Sequence, residues 1–458
     1  MKRKKLHPYT VMLSIIVIIT ILTWLIPAGK YERVFDIKLN KEILLPDSFK
    51  YIDKTPVSLL NMFPTIFKGF IESADISFFL IFAFGYINIL IKSNSIEVLA
   101  LLLLKKLKNK ENLIIVFFIV FFAICGSTLG MYEEVLGFVP LFISIFLSLG
   151  YDKFIGGSIV ILGSGVGFAA STINPFSIGL ASNIAGIPII TPPVLIFRIF
   201  SLIIFLIITI FYIINYAKNI KNKPELSLLF NEKQNISSKT NIYNNTIITS
   251  INKITIALFI AVIIIIALGT MLFNFYINEI AAIFFIFMII TGLLNKWNLT
   301  KIFNEFILSS KDMMFTVLMI GFGRTIQVII TDGNIIDSII FQLSSLIGDL
   351  PKQIAAIIML FVQNILCFFI PSGSGQAVIS IPILAPIADI IGLSKNIVIL
   401  TYQFGNGFAY LFWPIGVATI CAIMQIGLDK WYKFFTKLYI YFLIMQIILI
   451  ISAVYLGI

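Results

Sequence analysis

A chain of 458 residues that is 59% hydrophobic and 12% charged, with a mean hydropathy of +1.04, is too apolar for a soluble globular domain, where about 25% charge is usual. Its net charge of +11 comes largely from lysines gathered in a few short loops, which is an orientation signal for a membrane chain and implies no nucleic acid. Three cysteines, Cys125, Cys367 and Cys421, lie scattered in apolar stretches and exclude a disulfide framework or zinc site, and the single His7 leaves histidine chemistry without material.

The apolar runs approach the roughly 20 residues that cross a hydrocarbon core and predict an all-α polytopic membrane protein of about 11 spans or span-equivalents. Four basic residues in Met1–Lys5 precede Val11–Pro27, an uncleaved first helix with its basic end inside. Ala28–Lys54 is a mixed-charge outer segment with room for a small strand pair, and 1–55 forms an N-terminal unit. Pro56–Glu72 has the spacing of an interfacial helix. Ile76–Ile91 then crosses inward to a loop carrying Lys105, Lys106, Lys108 and Lys110. Leu113–Ile124 is short for a crossing. The stretch CGSTLG at 125–130 interrupts it and Val135–Leu149 returns, which predicts a re-entrant hairpin. Phe154–Ala170 rises, breaks at Ser171–Pro175 and resumes to Gly186, because proline and asparagine interrupt the helical ladder. Pro192–Tyr216 closes a first transporter repeat over 56–216.

Residues 217–252, rich in Asn, Lys and Ser, read as a flexible cytoplasmic linker. Ile254–Phe273 and Glu279–Leu294 form a helix pair within 253–296. Over 297–458 the earlier order returns. Phe322-Gly323 echoes Phe84-Gly85, PSGSG at 371–375 echoes the first tip, and GNGFA at 405–409 echoes GVGFA at 165–169. Counting spans from the basic N-terminus makes the second repeat inverted, with its hairpin at Lys352–Ile391 entering from outside and its last span at Phe434–Leu456. Inverted repeats with interrupted helices in matching places point to a secondary transporter with its site at mid-membrane. The N-terminus is then inside and the C-terminus outside.

Irregular backbone at membrane depth must be enclosed or line a watery cavity. Four interruptions qualify, Gly126–Gly130, Ser171–Pro175, Pro371–Gly375 and Gly405–Gly407. Their carbonyls and hydroxyls are hard oxygens suited to sodium, and Gly126, Ser127, Ser171, Thr172, Ser372 and Gly405 form the candidate ion set. Neighbouring helix N-termini suit a carboxylate. The competing reading is that glycine and serine only let helices pack closely.

Glu133 and Glu134 are the sharpest individual signals, since an acid within a span is functional by default. Facing a cavity, they favour an ammonium, guanidinium or proton over a dianion; in the first turn of a helix they only offset its dipole. Arg324 reads as the one arginine deep in an apolar run. It either forks onto a substrate carboxylate or pairs with an acid such as Asp312 or Glu134. Ser127, Thr128, Asn174, Ser372, Ser374 and Asn406 come from the interruptions as substrate contacts. Gln376, Tyr402 and Gln403 are polar wall candidates that singly read as ordinary packing. No cofactor is called for, and nothing in the motifs supports an enzyme.

The segments HPYTVMLSIIVIITILTWLIPAGKY, GSTLGMYEE, GVGFAASTINPFSIGLA and PSGSGQAV resemble the YfcC family, a branch of the C4-dicarboxylate anaerobic carrier group of the ion transporter superfamily. The resemblance covers nearly the whole chain. It implies alternating access by an elevator-like motion in the inner membrane, a homodimer, and coupling to Na+ or H+ or exchange. Sodium symporters of that superfamily carry an SNT triplet at each tip, where Ser127-Thr128-Leu129 and Ser372-Gly373-Ser374 stand here. The implied small-molecule substrate is either a C4-dicarboxylate or a basic amino acid exchanged in the arginine/ornithine manner. Glu133 and Glu134 tip the reading toward the amino acid.

Overall fold

The structure, a computed structural model, describes residues 8–36, 41–96, 98, 99, 102, 111–230, 248–273, 275, 277–347 and 350–458. The loop lysines at 105–110, His7, residues 231–247 of the expected linker and the side chain of Asp312 lie outside the described residues. In chain order the helices are α1 (Pro8–Leu25), α2 (Met62–Glu72), α3 (Ala74–Lys92), α4 (Glu111–Ile124), α5 (Val139–Ser148), α6 (Lys153–Ala169), α7 (Leu180–Ala185), α8 (Pro192–Asn222) and α9 (Ser250–Phe273). They continue with α10 (Ile277–Leu294), α11 (Leu299–Asp332), α12 (Ile336–Ser345), α13 (Lys352–Phe369), α14 (Gly373–Ile390), α15 (Lys395–Tyr410), α16 (Pro414–Met424) and α17 (Leu428–Leu456). Among the described residues, eight helical segments are long and apolar enough to cross a bilayer, or nine with α15 and α16 as one span bent by 46°.

After α1 come two antiparallel ribbons rather than one strand pair: β1 (Gly29–Lys30), β2 (Arg33–Asp36), β3 (Lys41–Leu44) and β4 (Lys50–Tyr51), with β1 on β4 and β2 on β3. Arg33 grips Asp337 at 2.7 and 3.0 Å and the Tyr31 N–H donates to the same carboxylate at 2.9 Å. The ribbons are thereby fixed to the first turn of α12.

The two halves of the chain meet in one long contact. α2 and α3, parted only at Ser73, run antiparallel along α11. Gly69 lies on Thr325, Phe70 on Gly321, the Phe82 ring stacks at 5.9 Å on Phe306, and the Asn88 amide donates to the Glu305 carbonyl at 3.0 Å. The helix expected within Pro56–Glu72 is present and packs along α11. The helical part starts at Met62, and a Cβ on Gly69 would stand 2.4 Å from Thr325 Oγ1, so that face is seated on α11.

α6 is the buried centre, enclosed by α4, α5, α8 and α15. Glycines on two of its faces permit the enclosure, since a Cβ on Gly156 would meet the Ile143 Cα at 2.5 Å and one on Gly167 the Ala123 carbonyl at 2.1 Å. Such small-residue contacts are how helices approach one another in lipid.

Two further expectations are corrected. Residues 217–222 complete α8, and Pro224–Phe230 is folded with Leu229 buried, so the expected linker is structured over its first part. Gly405–Gly407 is not an interruption. α15 continues to Tyr410 and the break falls at Leu411–Trp413, before Pro414. Gly405 and Gly407 serve packing instead, their positions leaving 2.6 Å to Gln363 Cβ and 2.4 Å to Ala169 Cα for any added Cβ.

Candidate functional site

The two tips and the two interrupted helices converge on one cavity of about 740 Å³, its mouth included. The first tip begins as a wide helical turn over Cys125–Leu129 and ends at Gly130, whose φ of 71° turns the chain. A side chain there would be strained, and its Cβ would also stand 2.4 Å from Asn174 Oδ1. The chain then presents Tyr132, Glu133 and Glu134 to the cavity. The second tip is extended at Ser372, whose hydroxyl accepts from the Gly375 N–H at 3.2 Å and starts α14. Pro371, Ser372, Gly373 and Ser374 form the opposite wall, with Asn406, Gly407 and Tyr410 of α15 beside them.

Behind the first tip the polar groups bond to one another. Ser127 and Thr172 hydroxyls are 3.0 Å apart, and the Thr172 N–H donates to Ser127 Oγ at 3.0 Å. Asn174 donates to Ser171 Oγ at 3.3 Å and accepts from the Phe176 N–H at 2.9 Å, capping the helical turn that follows the break. Gln403 of α15 donates to the Phe168 carbonyl and, at 3.4 Å, to Ser171 Oγ. That amide ties the two interrupted helices together.

Behind the second tip lies a similar network. Gln376 donates to the Gln363 carbonyl at 2.8 Å and accepts from Asn406 at 2.7 Å, and the Tyr402 hydroxyl donates to the Gly373 carbonyl at 2.7 Å. Tyr402 thus holds the second tip, Gln376 ties α14 to α13 and α15, and Gln403 ties the two interrupted helices, while Ser372, Ser374, Asn406, Glu133 and Glu134 reach the cavity wall. Thr128 turns back on its own helix, bonding the Ile124 carbonyl at 2.7 Å.

The two glutamates part company. Glu134 Oε2 accepts from the Tyr132 N–H at 3.1 Å and so caps its own turn. The Glu133 carboxylate makes no hydrogen bond or close ion pair among the described residues, although the Arg324 charge acts on it. Four aromatic residues share the cavity wall with it. Tyr132 stands edge-on to Tyr410 with ring centres 5.2 Å apart and at 6.1 Å from Phe168, and Phe176 completes the set.

Arg324 does not line the cavity. It pairs with Glu72 at 3.4 Å and donates to Gln327 at 2.7 Å, the acid-pairing arrangement of the two expected, with Glu72 as the acid. Nor is it the one arginine deep in an apolar run. Arg198, in α8, is 3% exposed and donates to the Ile189 carbonyl at 2.9 Å. The candidate ion set is not one shell. Ser127, Ser171 and Thr172 gather at the first tip, Gly126 is pressed on the Ser164 carbonyl, Ser372 is across the cavity and Gly405 faces α13. No group of three or more Asp, Glu, His or Cys that could hold a metal occurs among the described residues.

Tyr132, Phe168, Phe176 and Tyr410 were not singled out by the sequence. With 44 phenylalanines and 16 tyrosines in the chain, only their adjacency to the interruptions marks them.

Two hairpin tips and two interrupted helices around a shared cavity, in a chain with eight or nine apolar span candidates among the described residues, make a polytopic helical membrane protein. The family model described as C4-dicarboxylate anaerobic carrier matches residues 7–455. The chain belongs to that family and is a secondary transporter, not an enzyme. A Haemophilus influenzae protein without an assigned function is 28% identical, covering 93% of this chain and 92% of its own. YfcC of Escherichia coli K12, provisionally named a basic amino acid antiporter, is 24% identical over 96% of this chain and 94% of its own. Among solved structures, Neisseria gonorrhoeae MtrF, presented with a class of antimetabolite efflux pumps, is similar at 17% identity and a TM-score of 0.44, covering 99% of this chain and 96% of that one. The Alcanivorax borkumensis YdaH transporter gives 12% identity and a TM-score of 0.41, with 99% of each chain covered.

Proposed function

We propose that the protein exchanges basic amino acids, of the arginine and ornithine kind, across the cytoplasmic membrane by alternating access. The observation that carries this reading is Glu133, an acid whose carboxylate has no direct partner among the described residues and which shares the cavity wall with Tyr132, Phe168, Phe176 and Tyr410. A carboxylate among aromatic faces suits an ammonium or guanidinium, which gains from the charge and the ring quadrupoles together. The substrate carboxylate has a place opposite. The Gly373 and Ser374 N–H groups open α14 without acceptors in their own helix, at the positive end of its dipole. The name of YfcC supports the same substrate class.

In this reading the hairpins, α6–α8 and α13–α17 move together against α1–α3 and α9–α11, and the chain works as a homodimer with its N-terminus inside. Internal hydrogen bonding of Ser127 to Thr172 and the dispersal of the six ion candidates favour exchange over sodium symport. C4-dicarboxylate transport is the second reading, favoured by the family description and by the helix start at Ser372–Ser374, whose N–H groups suit a carboxylate. Proteoliposomes loaded with ornithine decide between them. Uptake of labelled arginine that needs internal ornithine and no sodium is the expected result; uptake of succinate or fumarate without any arginine uptake overturns it.

A further inference from the structure

α8 and α17 run antiparallel, the Tyr212 hydroxyl donating to the Phe434 carbonyl at 2.5 Å and the Phe205 and Phe442 rings lying 5.7 Å apart. On their outer side they leave a groove of about 1320 Å³ that is separate from the transport cavity. Its two ends differ in chemistry. Along it the amides of Asn219 and Asn215 give way to Lys437 beside Phe211 at mid-length and then to Tyr441 and Ile444. The nearby Tyr212 and Tyr216 hydroxyls are engaged inward, the second with Asp152 at 2.6 Å, so the amides and the ammonium are the head groups on offer.

The gradient continues along one face of α17, where Lys430, Lys433 and Lys437 at i, i+3 and i+7 are followed by Tyr441 and Ile444. No acidic residue lines the groove. Lys437 has no ion pair among the described residues and its ammonium lies 5.9 Å from the Tyr441 ring. Lys218, Lys221 and Lys223 belong to the same end, whereas Pro192 and Leu456 at the far ends have no Lys or Arg within five positions in sequence. That asymmetry assigns the lysine end to the cytoplasmic leaflet.

We propose that this groove seats one anionic phospholipid of the inner leaflet. Its phosphate is held by Lys437, Lys433 and the Asn215 and Asn219 amides, and an acyl chain lies along Phe211, Tyr441 and Ile444. Cationic pockets between spans on this side of the membrane are matched to such head groups, and a lone apolar groove would not select among lipids. The occupant is a lipid rather than a second copy because the ammonium and amides fill one half of the groove and apolar side chains the other, as an amphiphile requires.

Detergent-purified protein titrated with dioleoylphosphatidylglycerol or dioleoylphosphatidylcholine tests this by native mass spectrometry. Retention of one phosphatidylglycerol in preference to phosphatidylcholine is expected. The exposed-face double variant Lys433→Gln/Lys437→Gln should weaken that retention by roughly fivefold per lysine while leaving phosphatidylcholine unchanged. Equal retention of the two lipids, or an unchanged phosphatidylglycerol affinity in the double variant, overturns the proposal. So does efficient disulfide dimerisation of Phe211→Cys in phosphatidylglycerol nanodiscs, which would give the groove to a second copy.

Discussion

Arg324 of α11 is held by Glu72 of α2 at 3.4 Å, and each is 38% exposed. Both residues belong to the antiparallel seam that joins the two halves, and the guanidinium stays off the cavity wall. A half-exposed pair of this kind contributes about 0–1 kcal/mol. Glu72→Gln is therefore expected to move the thermal midpoint little. If the fork onto a substrate carboxylate is absent, Arg324→Gln retains arginine binding within a few-fold; a loss of binding with normal folding, read by calorimetry on purified protein, would restore the fork.

Glu133 and Glu134 should separate under mutation because their geometry does. Glu133→Gln removes the acid from the aromatic wall, and the loss of one member of a close charge pair costs about 2–5 kcal/mol. Arginine affinity should fall by at least roughly 30-fold, with membrane insertion and melting unchanged. Glu134→Gln weakens a cap on the Tyr132 N–H, so its main effect should be a lower melting temperature. The reverse pattern would exchange the roles of the two acids.

The glycines make a sharper structural test. A Cβ on Gly167 would stand 2.1 Å from the Ala123 carbonyl and one on Gly126 2.3 Å from the Ser164 carbonyl, backbone against backbone, whereas one on Gly179 has 3.5 Å to its nearest neighbour. Overpacking that cannot be relieved by a rotamer costs about 1–3 kcal/mol or more. Gly126→Ala and Gly167→Ala should lower yield and melting temperature, and Gly179→Ala should resemble the parent. Parity of all three would mean that α4 and α6 can move apart freely.

Much of this was legible in the chain. GSTLG and PSGSG mark the tips because each clusters glycine and hydroxyls between apolar arms in matching places, and Asn174-Pro175 marks a break because proline removes a ladder hydrogen bond. GNGFA misled because a glycine pair reads alike whether it breaks a helix or admits a neighbour. Only the approach of Ala169 to Gly407 tells the two apart. The aromatic wall was hidden for a different reason. Phe168 and Phe176 sit in runs where any residue is apolar, and which faces meet across the cavity is decided by contacts between α6 and α15 that no local pattern encodes.

The segment after α8 supplies the last prediction. Asp152, between α5 and α6, caps α6 through the Ile155 N–H at 3.2 Å and accepts from Tyr216 at 2.6 Å and Ser227 at 2.8 Å. The Lys430 ammonium donates to the Leu228 carbonyl, so the strap 224–230 is tied to α6, α8 and α17 at once. Burial raises the Asp152 carboxyl above its ordinary value, and the bonds from Tyr216 and Ser227 only partly offset this. A carboxyl raised in the folded state holds its proton more tightly there than in the unfolded chain. Its contribution to stability is full below the ordinary carboxylate range and is lost as pH rises through the folded value. Melting in detergent should accordingly decline as pH rises above the usual Asp range, and Asp152→Asn, which keeps the shape and cannot ionise, should flatten that decline. A pH slope identical in the parent and Asp152→Asn would mean that Asp152 is as readily ionised in the fold as in the unfolded chain.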